Sequence, residues 1–295
     1  MYDDFSSDYD RFVDWPRRLA MELPFIEAHV GRAAGPPTQS GDLPERAAGP
    51  PTQSGDLPER AAGPPTQSGD LPERAAGPPH RLLDAACGTG MHAIALAQRG
   101  YHMVGTNLSA GMIERARANA DAAGVNVRFV VAGFGELAAR IGGSFDALLC
   151  LGNSLPHLLT PDDLAAALAD FAACLRPGGL LLLQNRNFDA IMVHRERWME
   201  PQARREGQTE WLFLRFYDFA PDGLLTFNLV TLRRAGGGMW KQRVTTTRLR
   251  PLLRDELLSA LSAAGFDRIA CWGDMQGAPF DPPTSPNLVV MASRP

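Results

Sequence analysis

The sequence has few cysteines, no long apolar run and no excess of basic charge. Its four cysteines, at positions 87, 150, 174 and 271, form no C-x-x-C pair and no zinc-ligand spacing. We therefore expect neither a disulfide framework nor a metal site. Apolar stretches such as Leu180–Leu183 are far shorter than the roughly 18 residues needed to cross a bilayer. We therefore expect no membrane partner.

The charge balance is slightly acidic, with 29 basic against 33 acidic side chains and a net charge of −4. Because nucleic-acid backbones are bound by clustered positive charge, we expect no nucleic-acid partner. The amino terminus, MYDDFSSDYD, is acidic where a signal peptide is basic, and this favours a cytoplasmic protein. Nothing in the sequence indicates an oligomeric state.

A tandem repeat interrupts the chain. The unit AAGPPTQSGDLPER occurs at 33–46, 47–60 and 61–74, and a partial copy follows at 75–79. The three prolines of each unit remove backbone hydrogen-bond donors, and a single leucine provides no apolar face to bury. We therefore predict a disordered tether over 33–79. The alternative is a spacer or proline-motif ligand, although the unit lacks P-x-x-P spacing. The tether separates an amino-terminal helical lid segment, 1–32, from a domain at 80–295.

From residue 80 onward, short apolar runs alternate with helical patterns, as in RLLDAA, MHAIALAQRG and YHMVGTN. This alternation predicts an α/β domain with a mostly parallel sheet and helices on both faces. Ligands of such folds bind at the carboxyl ends of the strands. One helix is predicted over 161–175, because Thr160 can cap it and Pro161 suits its first position.

Two further patterns lie outside this alternation. Three strand-like runs between about 210 and 250, broken by PDG and GGG, predict an antiparallel flap over the ligand site. Before the repeat, aromatic residues recur every three to four positions on one helical face. That helix either packs on the domain or forms a lid over a ligand. The stripe consists of Tyr2, Phe5, Tyr9, Phe12 and Trp15.

The segment RLLDAACGTG places an acidic residue at a strand end and two glycines at the turn into a helix. It lacks both the dinucleotide pattern G-x-G-x-x-G and the P-loop lysine. D-x-x-C-G-T-G resembles the first motif of class I S-adenosylmethionine-dependent methyltransferases. That resemblance implies a Rossmann-like, seven-stranded sheet with S-adenosylmethionine as cofactor. It also implies that Ala86, Gly88 and Gly90 line the amino acid end of the cofactor.

The same resemblance assigns contacts to the ribose and to the adenine of the cofactor. Asn107 occupies the end of the second strand, where family members usually carry an acid for the ribose hydroxyls, and an uncharged amide forms weaker hydrogen bonds than a carboxylate. Gly133 and Phe134 lie where family members meet adenine. Phe134 either stacks on that ring or is an ordinary core aromatic.

Two blocks, FDALLCLGNSLPHL and RPGGLLLLQNRNFDAI, resemble glycine N-methyltransferases and glycine/sarcosine methyltransferases. The resemblance implies that Asn153 and Arg186 hold the substrate amino acid. It further implies that Leu151 and His157 contact the cofactor. The tyrosines that this family carries on its flap have no clear match in 244–249.

The same family resemblance extends to the amino-terminal segment. There it implies that Tyr9 and Arg18 close over the cofactor, with Tyr9 also facing the substrate.

The chemistry of the residues themselves agrees with this resemblance. Arg186 offers a planar fork for a carboxylate, the alternative being a surface ion pair with Asp189. Asn153 can accept a hydrogen bond from an amine and is the candidate catalytic residue, the alternative being a turn that satisfies its own backbone.

We therefore predict an S-adenosylmethionine-dependent N-methyltransferase acting on glycine, sarcosine or a similar small amino acid. One alternative is methylation of another small carboxylated amine or of an oxygen nucleophile. A second alternative is a weakly catalytic cofactor-binding protein.

Overall fold

The computed structural model describes residues 8–30 and 80–295, and every structural statement below concerns these two ranges. The predicted tether at 33–79 lies outside the described residues, as do Tyr2 and Phe5 of the aromatic stripe. Within the described ranges no helix is long and apolar enough to span a bilayer. The same ranges hold no cluster of three metal-ligating side chains.

Helices and strands alternate through most of the described chain. Residues 8–12 are helical and are followed by seven helices. These are α1 (Trp15–Val30), α2 (Met91–Ala97), α3 (Ala110–Ala123), α4 (Leu137–Ile141), α5 (Pro161–Cys174), α6 (Phe188–His194) and α7 (Arg254–Ala263). The strands are β1 (Arg81–Ala85), β2 (His102–Asn107), β3 (Arg128–Val131), β4 (Phe145–Cys150), β5 (Leu175–Arg186), β6 (Gln202–Glu206), β7 (Thr209–Phe219), β8 (Leu225–Ala235), β9 (Lys241–Leu249), β10 (Asp267–Trp272) and β11 (Asn287–Ser293).

The larger sheet has seven strands in the order β3-β2-β1-β4-β5-β11-β10. Strands β1 to β5 run parallel, whereas β11 is antiparallel to both β5 and β10. This is the predicted Rossmann-like arrangement. The strand order reverses between β1 and β4, and the carboxyl ends of these strands therefore border the crevice in which such sheets bind ligands.

Two apolar cores form because successive side chains of a strand point to opposite faces. Leu83 belongs to the core under α4, α5 and α7, whereas its neighbour Leu82 belongs to the core under α1, α2 and α3. Both leucines are fully buried. The near-continuous apolar runs of the sequence are explained by this burial on both faces.

The predicted helix over 161–175 is confirmed as α5. The Thr160 hydroxyl accepts a hydrogen bond from the Asp163 backbone N–H at 3.1 Å, and Pro161 occupies the first turn. The helix ends at Cys174, one residue earlier than predicted, because Leu175 already pairs with Phe145 in the sheet.

The predicted flap is a four-stranded antiparallel sheet in the order β6-β7-β8-β9. Three of its strands match the predicted runs, but β6 was missed. Its sequence, QARRE, has a single small apolar residue and lies almost wholly exposed at the edge of the sheet. Charged side chains are the usual protection of an edge strand, and they remove the apolar alternation by which strands are recognised.

Candidate active site

A cavity of about 910 Å³ lies where the loops after the parallel strands, the flap and the amino-terminal segment meet. This is the location that the strand-helix alternation predicts. Eleven of the twelve predicted site residues line it, namely Tyr9, Arg18, Ala86, Gly88, Asn107, Gly133, Phe134, Leu151, Asn153, His157 and Arg186. The remaining one, Gly90, is discussed with the glycine loop.

The glycine loop turns from β1 into α2 through three left-handed residues. Ala86, Gly88 and Gly90 have φ angles of 62°, 56° and 81°. At Gly88 an added Cβ would lie 3.5 Å from the ring of Tyr9, so the bare backbone of the loop borders the cavity directly under that tyrosine. Left-handed backbone is strained for alanine, and such strain concentrates at ligand sites.

Gly90, unlike Ala86 and Gly88, is not among the residues that line the cavity. A Cβ at this position would lie 2.7 Å from Cζ of Phe129 on β3. Gly90 is therefore required for the close packing of the loop on the sheet. The sequence pattern does not distinguish a glycine that approaches a ligand from one that approaches a core side chain.

The amino-terminal segment, residues 8–15, connects the glycine loop to the flap. Asp10 accepts hydrogen bonds from the Thr89 hydroxyl at 2.5 Å and from Nε of Arg115 at 3.0 Å. On the other side, Phe12 packs edge-on against Phe213 of β7, with ring centroids 5.5 Å apart. The segment thus packs on the domain, and its aromatic side chains also line the cavity; a lid over a ligand stays a prediction.

A hydrogen-bonded group that we term the glycine-loop cluster lies beneath this segment and consists of Arg18, Glu22, His92 and Gln184. Nε of Arg18 donates to both oxygens of Glu22 at 3.1 Å. His92 Nε2 lies 2.6 Å from Glu22, and the Gln184 amide donates to Glu22 at 3.1 Å. Burial alone would raise the pKa of Glu22, but the His92 hydrogen bond and the Arg18 charge lower it to about 2.

Asp84, at the end of β1, is not hydrogen-bonded to this cluster. It is 2% exposed, and its Oδ2 has no hydrogen-bond partner among the described residues. Burial raises the pKa of Asp84 to about 6, against the lowering effect of the His92 and Arg18 charges. Asp84 borders the cavity. A buried carboxylate oxygen without a partner is costly in the free protein and suits a cationic group of a ligand.

The loops after β2 and β3 form another part of the cavity. The Asn107 side-chain oxygen already accepts a hydrogen bond from the Ser109 backbone N–H at 2.9 Å. Phe134 borders the cavity and also packs edge-on against Phe171 of the core at 5.3 Å. Its two sequence-based alternatives, ligand contact and core aromatic, are therefore compatible.

The loop after β4 is tied to the end of β5. Asn153 is left-handed, with φ 70°, a conformation that asparagine tolerates better than most residues. Its side-chain oxygen accepts a hydrogen bond from the Arg186 backbone N–H at 2.9 Å. His157 lies in the same loop. Burial lowers its pKa to about 4, so its imidazole is neutral at pH 7.

The alternative of an ion pair between Arg186 and Asp189 is not seen. Asp189 instead accepts a hydrogen bond from the Arg254 backbone N–H at 3.0 Å. No carboxylate of the described residues lies within 4.0 Å of the Arg186 guanidinium. Arg186 therefore brings an unneutralised positive charge to the cavity.

Sequence reasoning missed the contribution of the flap. Arg215 and Tyr217 of β7 line the cavity, so the flap does supply a tyrosine, although from β7 and not from 244–249. The alternation of side chains along β7 could have indicated this, because Trp211 and Phe213 lie on one face of the strand and are buried. Alternation places Arg215 and Tyr217 on that inward face.

Comparison with known proteins agrees with the predicted methyltransferase fold. Residues 82–179 match a family model described as a methyltransferase domain. A solved S-adenosylmethionine-dependent methyltransferase from Clostridium acetobutylicum has the same fold, with a TM-score of 0.62 and 15% identity over 73% of this chain and 84% of that one. The fold and the glycine loop thus define a class I S-adenosylmethionine-dependent methyltransferase.

Sequence relatives narrow the family further. The chain is 30% identical over 202 residues, 66% of its length, to a glycine/sarcosine N-methyltransferase of Aphanothece halophytica, of which it covers 69%. It is 40% identical over 114 residues to the corresponding protein of Halorhodospira halochloris, of which it covers 42%. The chain belongs to the glycine/sarcosine N-methyltransferase family.

The cofactor of this class is S-adenosylmethionine, and the cavity fits it. The unpartnered Oδ2 of Asp84 offers a negative charge to a ligand with a sulfonium and an ammonium group. The open backbone at Gly88 allows close approach, and the Phe134 ring borders the same cavity.

Proposed function

We propose that the chain transfers a methyl group from S-adenosylmethionine to the amino nitrogen of glycine, sarcosine or a similar small amino acid. The observation that carries the proposal is the Arg186 guanidinium, which borders the cavity beside Asn153 without a carboxylate partner among the described residues. A free amino acid supplies that partner. The names of the relatives from Aphanothece and Halorhodospira support the same class of acceptor.

The glycine-loop side of the cavity would hold the cofactor. In this proposal Ala86 and Gly88 border its amino acid end, Asn107 meets the ribose, and Gly133 with Phe134 meets the adenine. Leu151 and His157 complete the contacts, and Arg18 organises the glycine-loop cluster beneath them. The cofactor, when bound, supplies an electrophilic methyl group on sulfur.

The other side would hold the acceptor. Arg186 binds its carboxylate through a planar pair of N–H groups, which suits bidentate capture. The oxygen of Asn153, fixed by the Arg186 backbone N–H, keeps a second lone pair that can accept from the amine. Tyr9 covers the reacting groups from the amino-terminal segment.

In an in-line displacement the bound cofactor would supply its methyl group to the amine nitrogen and leave as the neutral thioether, and the methylated ammonium would release its proton to solvent. Holding nucleophile and methyl group in line can supply most of the acceleration, so no strong base is needed. His157 is neutral and buried, and we assign it to binding. The role of Asn153 is to orient the amine.

The proposal is tested by mass spectrometry of reactions containing the protein, S-adenosylmethionine and, separately, glycine, sarcosine or dimethylglycine. A methylated product from any of them supports the proposal. Absence of product with all three, while calorimetry shows cofactor binding, would overturn the acceptor class and leave the family assignment intact.

The assigned role of Arg186 has its own test. We expect Arg186→Met to raise the KM for the acceptor by about 100-fold or more, because a charge-assisted pair is lost. The Kd for the cofactor, measured by calorimetry, should change less than threefold. Equal loss of both affinities would contradict the assignment.

A further inference from the structure

A second arginine borders the same part of the cavity as Arg186. Arg215 and Tyr217, two residues apart on β7, both line it. The charges of Arg186 and Arg215 both act on Tyr217, whose pKa burial nevertheless raises to about 12. We term these three residues the flap cluster.

Neither arginine of the flap cluster is neutralised by the protein that the structure describes. Nε of Arg186 and Nε of Arg215 are both buried without a hydrogen-bond partner there. Among the described residues, the polar contact of the Arg215 guanidinium is a 3.5 Å hydrogen bond to the Glu200 carbonyl. Burial, and then the Arg186 charge, lower the pKa of Arg215.

Several other flap arginines have a carboxylate partner. Arg234 lies 2.5 Å from Glu210, and Arg243 lies 2.7 Å from Asp8. The side chains of both pairs are partly exposed to solvent. Arg204 and Arg233 of the flap also have no carboxylate within 4.0 Å among the described residues, but both are exposed and neither lines the cavity. Arg186 and Arg215 thus differ from them in bringing such a charge to the cavity.

The amino-terminal segment fixes the position of Arg215. Its guanidinium lies over the ring of Phe12, 4.9 Å from the centroid, and Phe12 in turn packs on Phe213. A guanidinium stacked on a ring keeps its in-plane N–H groups available for a carboxylate.

We propose that Arg215 is a second carboxylate-binding residue, which together with Arg186 holds the single carboxylate of the acceptor. This inference rests on the proposed function for the identity of the acceptor. The two arginines would also select among acceptors. Binding of an amine without a carboxylate leaves two cations buried and unpaired in the cavity and is therefore disfavoured.

The test uses acetate as the probe, because it has a carboxylate and no amine. Its Kd is measured by calorimetry with the full chain, for the wild type, Arg186→Met, Arg215→Met and the double variant. We expect each single variant to weaken acetate at least tenfold. The double variant should weaken it less than the product of the single effects, since both residues act on one group.

Arg204→Met is the matched control, because Arg204 is an exposed arginine of the same flap. It should leave the Kd for acetate within twofold of the wild type. Arg215→Lys keeps the charge without the planar fork and should give an intermediate Kd, which separates binding from a failure of Arg215→Met to fold. In the methylation assay Arg215→Met should raise the KM for the acceptor tenfold with kcat within threefold.

The outcomes separate this inference from the proposed function. Loss of acetate affinity in Arg215→Met supports it even if glycine, sarcosine and dimethylglycine are not methylated by the wild type. An unchanged Kd for acetate and an unchanged KM in Arg215→Met would overturn it.

Discussion

The glycine-loop cluster and the flap cluster border one cavity, yet they differ in how far the protein satisfies their charges. Glu22 is held by Arg18, His92 and Gln184 at distances between 2.6 and 3.1 Å. Arg186 and Arg215 have buried Nε atoms without partners among the described residues. The first cluster is complete in the free protein, and the second is completed by a ligand.

The largest expected effect comes from breaking the complete cluster. Glu22→Gln leaves the buried His92 and the partly buried Arg18 without their anion, and removing one partner of such a network costs about 3 kcal/mol of unfolding free energy. Chemical denaturation measures the loss. Glu27→Gln is the matched control on α1, because Glu27 pairs with Arg99 at the surface, and it should cost less than about 0.5 kcal/mol.

The same pair of variants has a pH signature. The pKa of Glu22 is lowered from 4.5 to about 2, so its contribution is complete above pH 4.5 and is lost as the pH falls towards 2. The difference between wild type and Glu22→Gln should shrink over that window. A difference independent of pH would mean that the carboxylate charge is not what stabilises the cluster.

The glycine loop beside this cluster can be broken by size alone. Gly90→Ala adds a methyl group against the Phe129 ring and also strains a left-handed residue. Gly100→Ala is the control for strain, since Gly100 has φ 87° and open space around it. We expect Gly90→Ala to cost about 2 kcal/mol more than Gly100→Ala in denaturation. Equal costs would show that Phe129 yields to the added methyl group.

The sequence predicts the scaffold of both clusters better than it predicts their contacts. Strand-helix alternation locates the parallel sheet and the cavity at its carboxyl ends, because burial on both faces leaves a periodic record. The hydrogen bond between Glu22 and His92 joins residues 70 positions apart, and it depends on how α1 crosses α2. No local pattern carries that information.

The flap cluster was partly within reach of sequence reasoning. Arg186 was predicted from its family block. Arg215 follows from the register of β7 once the inward face is known, and the aromatic residues at 211 and 213 mark that face. What the sequence does not give is the distance between the end of β5 and the middle of β7, which depends on how the flap packs on the domain.

Asp84 should make the affinity for the cofactor depend on pH. Its pKa is raised to about 6, so the neutral form dominates below that pH and the anion above it. A cationic cofactor favours the anion, and its affinity should therefore rise about tenfold between pH 5 and pH 7. Calorimetry across this range measures it, and Asp84→Asn should remove the dependence. A pH-independent Kd in the wild type would mean that Asp84 does not face the cofactor's charge.

The smallest expected effect has the opposite sign to the first. Arg215→Met removes a desolvated cation that is repelled by Arg186, and replacing such a charge by an apolar side chain of similar length is neutral or stabilising. The loss of the contact with the Phe12 ring opposes this gain by about 0.5 to 1 kcal/mol. We therefore expect the unfolding free energy of the free protein to change by less than about 1 kcal/mol.

Denaturation in the presence of acetate completes this comparison. At one acetate concentration well above the wild-type Kd, acetate should stabilise the wild type more than Arg215→Met, because the stabilisation grows with the logarithm of the ligand concentration divided by Kd. A loss above about 2 kcal/mol in free Arg215→Met would instead place Arg215 with Glu22, as a residue whose partner is the protein. The two clusters would then differ in position only, and the contrast between a complete and a ligand-completed site would be lost.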